Sequence, residues 1–244
     1  ISDGANTQMG SIFTPYAYYY AWNKANDTDK VSNGISSLFT MIAGAFAKDR
    51  VTQLLRDFVF YPDDSKKNEA IVCRYPQFFA AGKMLDNIKR HLRPAGDGKG
   101  GTYFGATGCG KSLTMLFLTR MLMRSRHLAS PTIVLITDRT DLDDQLSAQF
   151  VNAKQFIGDE NVVNVETREE LGKKLRGRKS GGVFLTTIQK FSEDINLLSD
   201  RANIICIADE AHRSQTNVEQ EVTITDKGVK RSYGIAKYLN NALP

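Results

Sequence analysis

Little in this sequence suits a disulfide scaffold, a metal cage or a membrane span. Three cysteines occur in 244 residues, Cys73, Cys109 and Cys206. An odd number without paired spacing excludes a disulfide framework and a C-x-x-C zinc pattern, and it favours a reduced, cytoplasmic setting. No apolar run approaches the ~20 residues that a bilayer crossing requires. The N-terminus lacks the basic stretch, apolar core and small-residue cleavage site of a secretory leader. What remains is ordinary for a globular chain, with 41% hydrophobic and 24% charged residues. The net charge of +5 is compatible with a polyanionic partner without requiring one. The length accommodates one complete α/β domain plus extra material, and a start at Ile1 suggests a segment of something longer.

One stretch dominates the chemistry. Gly105-Ala106-Thr107-Gly108-Cys109-Gly110-Lys111-Ser112 matches G-x-x-x-x-G-K-[ST] at every fixed position. Glycines let the backbone curl so that successive N–H groups face phosphate oxygens, which a Cβ would obstruct. Lys111 adds a mobile cation for the β and γ phosphates, and the Ser112 hydroxyl is placed for Mg²⁺. The stretch from Gly101 to Phe104 reads as the strand leading in. A helix from about Lys111 through Leu128 leads out, aiming its positive end at the same anion.

Before the loop the chain reads as mainly helical. An aromatic cluster, Tyr16, Tyr18, Tyr19, Tyr20 and Trp22, opens it. That cluster is either the closing edge of a different unit or a satellite packed on the main domain. Helices are predicted over 37–46 and 51–60, with Val51, Leu54, Leu55 and Phe58 at helical spacing. A short strand over 70–73 leads through Arg74-Tyr75-Pro76-Gln77 into a helix over 78–93, in which Phe78, Ala81, Leu85, Ile88 and Leu92 share a face.

After the loop, β-branched runs predict buried strands at 131–137, Val183–Thr187 and 203–208, with a weaker one at 162–165. A helix capped by Asp141 carries Leu142, Leu146 and Phe150 on one side. Thr167 and Glu170 form a capping box for a helix through Leu175. The basic run Lys173-Lys174-Leu175-Arg176-Gly177-Arg178-Lys179 reads as a solvated helix end, where cations favour the dipole, ahead of a nucleic-acid contact. Residues 219–231 suggest a hairpin around Asp226-Lys227-Gly228. Strands alternating with helices make a parallel α/β sheet the default.

The apolar segment Ile204 to Ala208 empties into Asp209-Glu210-Ala211-His212. Ligands of open α/β sheets gather at the carboxyl ends of strands, so Asp209 and Lys111 are expected to converge there. Asp209 would hold Mg²⁺, Glu210 would polarise the attacking water, and His212 would sense the γ-phosphate.

The phosphate loop followed by Asp-Glu-Ala-His resembles motifs I and II of superfamily 2 helicases and translocases. Residues 137–145 resemble motif Ia and residues 186–191 resemble motif Ib. More narrowly, Asp138-Arg139-x-Asp141-Leu142-x-x-Gln145, Thr187-x-Gln189-Lys190-Phe191 and Asp209-Glu210-Ala211-His212-Arg213-Ser214-Gln215 are similar to the restriction (R) subunit of type I restriction-modification enzymes. Arg74-Tyr75-x-Gln77 resembles the stretch whose glutamine reads the adenine edge in that family.

The resemblance implies a RecA-like P-loop domain with a parallel sheet flanked by helices, preceded by a mainly helical linker. It implies residues 1–30 as the C-terminal edge of an upstream nuclease domain, 31–69 as the linker and 70–244 as the first motor domain, ending before motif III. ATP and Mg²⁺ are the implied cofactors. Arg74, Gln77 and the loop from Gly105 to Ser112 would bind the nucleotide, and Arg139, Thr187 and Gln189 would contact DNA. The implied partners are double-stranded DNA and the modification and specificity subunits, with no membrane. The nuclease centre would lie upstream of Ile1, and the second motor domain with its arginine finger beyond Pro244. Residues 1–244 alone would then bind ATP with little turnover. Another superfamily 2 helicase, or a regulatory module that holds ATP without hydrolysing it, are the alternatives.

Overall fold

The computed structural model describes residues 1–65, 69–137, 140–191, 197–209, 220–225, 228–233, 239 and 242–243. In chain order the regular elements are α1 (Ser37–Gly44), α2 (Lys48–Asp57), β1 (Val59–Phe60), β2 (Ile71–Val72), α3 (Tyr75–His91), α4 (Lys111–Arg124), β3 (Thr132–Thr137), α5 (Thr140–Val151), α6 (Lys154–Ile157), β4 (Val162–Asn164), α7 (Arg168–Leu175), β5 (Val183–Thr187), β6 (Ile204–Ala208), β7 (Gln220–Thr225) and β8 (Gly228–Tyr233). They form two compact units. One holds residues 1–90, 100–124 and 155–158; the other holds 91–99, 125–154 and 159–244. No helix among the described residues is long and apolar enough to cross a membrane.

The first unit is built on aromatic packing. Trp22, 1% exposed, meets the edges of Tyr75 and Phe78 with ring centroids 6.3 and 5.6 Å away. Phe58, fully buried, joins α3 to α4 through Phe78 and Phe117 at 4.9 and 5.3 Å. Such tilted ring pairs add to the large area that each ring removes from water. Two boundaries differ from the sequence expectation. The helix expected over 51–60 ends at Asp57, because Val59 and Phe60 pair antiparallel with Val72 and Ile71. The helix expected from Phe78 begins at Tyr75, since Pro76 suits a first turn, where a missing N–H is no loss. Gln77 and Phe78 both donate their backbone N–H to Arg74 O, at 3.0 and 3.1 Å.

A third difference concerns the approach to the phosphate loop. Residues 101–104 form no strand: Gly101 sits at φ +109°, outside the extended region a ladder requires, and Phe104 is 93% exposed. The expected lead-in strand is therefore an irregular segment, tied down by a hydrogen bond of 2.8 Å from Asn87 Nδ2 to Gly100 O.

The second unit carries the predicted parallel sheet, in the order β4-β5-β3-β6. Burial of every residue of β3 and β5 explains their apolar centres, Ile133 to Ile136 and Val183 to Leu185. The β3-α5-β4 connection crosses two positions and β4-α7-β5 returns one, so right-handed crossovers place α5 and α7 on opposite faces. On the α7 face Leu171 and Leu175 join Val134, Ile136 and Phe184 in one apolar cluster. Helix α5 begins at Thr140, which puts Asp141 inside its first turn rather than at the cap. Strands β7 and β8 pair antiparallel with Thr225 opposite Gly228, the hairpin that the sequence suggested; Asp226 and Lys227 lie outside the described residues.

At α7 the Thr167 half of the expected capping box forms, while the Glu170 carboxylate reaches one residue further back, to Glu166. Thr167 Oγ1 accepts from Glu170 N at 3.1 Å, while Glu170 Oε2 accepts from Glu166 N at 3.2 Å. Thr167→Ala is expected to cost about 1 kcal/mol of stability, read from the midpoint of urea unfolding with an unchanged slope. A midpoint equal to wild type would remove the cap from the account.

Candidate functional site

The phosphate loop lies in the first unit, and its geometry starts from its glycines. Gly108 and Gly110 adopt φ +79° and +81°, left-handed conformations that side chains resist. Around the Gly108 Cβ position nothing lies within 4 Å, whereas a Cβ on Gly110 would strike the Gln77 amide nitrogen. The Gly110 carbonyl accepts three donors: Gln77 Nε2 at 3.1 Å, Thr114 N at 3.0 Å and Thr114 Oγ1 at 3.1 Å. That triple attachment fixes the residue immediately before Lys111. Lys111 Nζ spans the loop and donates to Gly105 O at 3.3 Å.

Gln77 is 2% exposed and uses both ends of its amide. Its Oε1 accepts Arg74 N at 2.8 Å while its Nε2 holds Gly110 O. The glutamine thus ties the start of α3 to the phosphate loop. Arg74 is exposed, with its guanidinium carbon 5.5 Å from the centre of the Tyr20 ring. The Tyr20 hydroxyl donates to Val72 O at 2.9 Å and also to Cys73 O, and burial pushes its pKa up.

Tyr103 and Thr114 brace the loop without having been singled out in the sequence. The Tyr103 hydroxyl lies 3.9 Å from Cys109 Sγ, and burial followed by that contact raises the phenol pKa. Thr114 was legible only as a polar residue in an apolar helix, four positions after Gly110, where a hydroxyl can reach back to a carbonyl.

These residues fit a triphosphate and its metal. Lys111 opens a helix of 14 residues whose first N–H groups have no intrahelical acceptor. Ser112 is half-buried, and its hydroxyl makes no hydrogen bond among the described residues.

The second unit gathers the remaining motif segments at the carboxyl edge of its sheet. Thr137 at the end of β3 pairs in register with Thr187 at the end of β5. On the other side of β3, Ile136 pairs with Ala208, and Asp209 N donates to Ile136 O at 2.8 Å. Asp209 is half-buried, Thr187 is buried and Gln189 is exposed. Thr137 Oγ1 and Thr186 Oγ1, both fully enclosed, have no hydrogen-bond partner among the described residues. Arg139, Glu210 and His212 lie outside the described residues.

A glycine-turned phosphate loop opening a helix, in a chain that also carries a parallel sheet with an aspartate at a strand end, defines a P-loop nucleotide-binding protein of the RecA-like class. The chain belongs to the SWI2/SNF2 ATPase family, whose pattern its residues 76–244 match. Nucleotide hydrolysis is the chemistry of that family.

Relatives are similar along much of the chain. The "Type I restriction enzyme HindI endonuclease subunit" of Haemophilus influenzae is 32% identical over 252 aligned residues, covering 100% of this chain and 23% of that protein. The "Putative type I restriction enzyme MjaIXP endonuclease subunit" of Methanocaldococcus jannaschii is 34% identical over 238, covering 88% of this chain and 22% of that protein. The chain thus spans less than a quarter of the length of either relative. The resemblance to R subunits drawn from the motifs holds.

Proposed function

We propose that this chain is the ATP-hydrolysing motor segment of a type I restriction R subunit, and that ATP turnover pulls double-stranded DNA past it. Its support is the sheet edge at which three motif segments emerge side by side: Thr137 opposite Thr187, with Asp209 bonded to Ile136 on the neighbouring strand. In this reading that edge, where ligands of open α/β sheets gather, would carry an acidic metal ligand beside segments that contact the DNA backbone.

In this reading the loop N–H groups and Lys111 bind the β and γ phosphates, and Ser112 with Asp209 holds Mg²⁺. Held by these two residues, Mg²⁺ would supply neutralisation of the charge on the γ-phosphoryl oxygens. Glu210 orients the attacking water and His212 senses the γ-phosphate. Arg139, Thr187 and Gln189 touch DNA phosphates, which give affinity rather than sequence preference. Specificity and modification subunits supply recognition. Residues 1–30 close an upstream nuclease domain, 31–69 link it, and 70–244 form the first motor domain.

The test is DNA-stimulated ATPase of the full-length protein. Wild type should hydrolyse ATP faster with linear duplex than without it, and Glu210→Gln should retain ATP binding while losing the stimulated rate. Equal rates with and without DNA would contradict the motor reading.

Gln77 is proposed to read adenine through its place between α3 and the loop. Because both ends of its amide are already engaged by Arg74 and Gly110, Gln77→Ala is expected to raise the KM for ATP and to relax the preference over GTP together. An unchanged ATP-to-GTP ratio of kcat/KM would defeat that assignment.

A further inference from the structure

The basic run after α7 does more than end a helix. It borders an open cleft of about 600 Å³ at the amino edge of the sheet, opposite the edge that carries Asp209. Two segments form it: the connection from α7 to β5, with Arg176, Arg178 and Lys179, and the approach to β6, with Leu197, Asp200 and Arg201. Four cations face one carboxylate, and none of the four is in an ion pair among the described residues.

Two of the cations are held in place by the fold. Arg201 donates through Nε and Nη2 to Asn203 Oδ1, at 3.1 and 2.9 Å, and through Nη1 to Thr132 Oγ1 at 2.9 Å and Arg178 O at 3.2 Å. Arg178 donates through Nε to Lys174 O, at 3.3 Å, and through Nη1 to Ser180 O and Gly181 O, at 3.2 and 3.3 Å, and it lies over the Phe184 ring. Its Nη2 makes no hydrogen bond among the described residues. Arg176 and Lys179 are exposed and make no hydrogen bond among the described residues. Burial and the nearby Arg178 charge lower the Arg201 pKa, so the pair repels within the cleft. A bound anion would relieve that repulsion.

Guanidinium forks beside a lysine suit phosphate oxygens. Leu175 and Leu198 are buried at 1% and 5% exposure, leaving Leu197 the sole exposed apolar side chain of the lining. That is too little apolar surface to anchor a peptide, whose docking needs buried apolar contacts.

We propose that this cleft binds backbone phosphates of duplex DNA, as a second contact about 16 Å along the strands from the carboxyl edge. This rests on the motor reading above for the presence of DNA. It would hold the duplex at both ends of the sheet.

The experiment uses the full-length protein carrying Arg176→Ala/Lys179→Ala, two exposed substitutions that remove no internal bond. DNA affinity is measured by fluorescence anisotropy over a range of salt. Losing two phosphate contacts lowers the slope of log K against log[salt] by about 1.8, while kcat at saturating DNA stays at the wild-type value. Lys30→Ala/Lys48→Ala, two exposed cations of the first unit, removes the same charge and should leave the slope unchanged. A wild-type slope in the cleft variant overturns the proposal, as does an equal loss in the control pair, or absence of DNA binding by wild type. The motor reading fails separately, through an ATPase that DNA does not stimulate, while the slope comparison still decides the cleft.

Discussion

Lys111→Ala is expected to lower DNA-stimulated ATP turnover of the full-length protein by at least about a hundredfold, the scale of losing one preorganised charge donor at a reacting centre. Lys111 is half-buried, and among the described residues the one hydrogen bond of its ammonium is the donation to Gly105 O. Its removal therefore takes little from the fold. Gly110 remains tied to Gln77 and Thr114, and the helix that Lys111 opens is otherwise packed through Leu116, Phe117 and Leu122, all fully buried. Thermal melting should stay close to wild type while kcat falls. Turnover within about threefold of wild type would remove Lys111 from the reaction.

The second large effect is at Asp209. Its backbone N–H secures the end of β6 to β3 through Ile136 O, and that bond survives a side-chain change. Asp209→Asn keeps size and shape and removes one negative charge, and with it the hard anionic oxygen that a divalent magnesium prefers. Turnover is expected to drop about a hundredfold, with a raised Mg²⁺ requirement in a titration at fixed ATP. Binding of ATP without metal should change little. A variant with the wild-type Mg²⁺ dependence would show that Asp209 holds no metal.

Much of the fold is legible in the sequence, for identifiable physical reasons. The sequence pattern places β5 at its observed residues and β3 to within one, because each is buried on both faces and carries an apolar centre, Ile133 to Ile136 and Val183 to Leu185. Thr167 and Glu170 announced the start of α7, because a capping box depends on contacts only a few residues apart. The phosphate loop was legible because its glycines and lysine answer to a ligand rather than to the rest of the fold.

What was not legible depends on partners far away in sequence. Phe60 left its expected helix because Ile71 offered a strand edge. Gln77 entered the first turn of α3, and its grip on Gly110 spans 33 positions that no local pattern encodes. The lead-in to the loop stayed irregular because Gly101 takes a left-handed φ that only glycine accepts readily. Thr114 and Tyr103 were hidden in an apolar helix and an assumed strand, and became visible through what they touch. The basic run looked like an ordinary helix end because its second wall, Leu197 to Arg201, arrives from another part of the chain.

The central claim is that ATP turnover moves this protein along duplex DNA, and it is tested most directly by triplex displacement. The full-length protein is started from a fixed site, and a fluorescent third strand is placed at increasing distances along the duplex. The account predicts a lag before displacement that grows linearly with distance, requires ATP, and is absent with Lys111→Ala because no displacement occurs. Displacement with no dependence on distance, or ATP hydrolysis with no displacement at any distance, would contradict it.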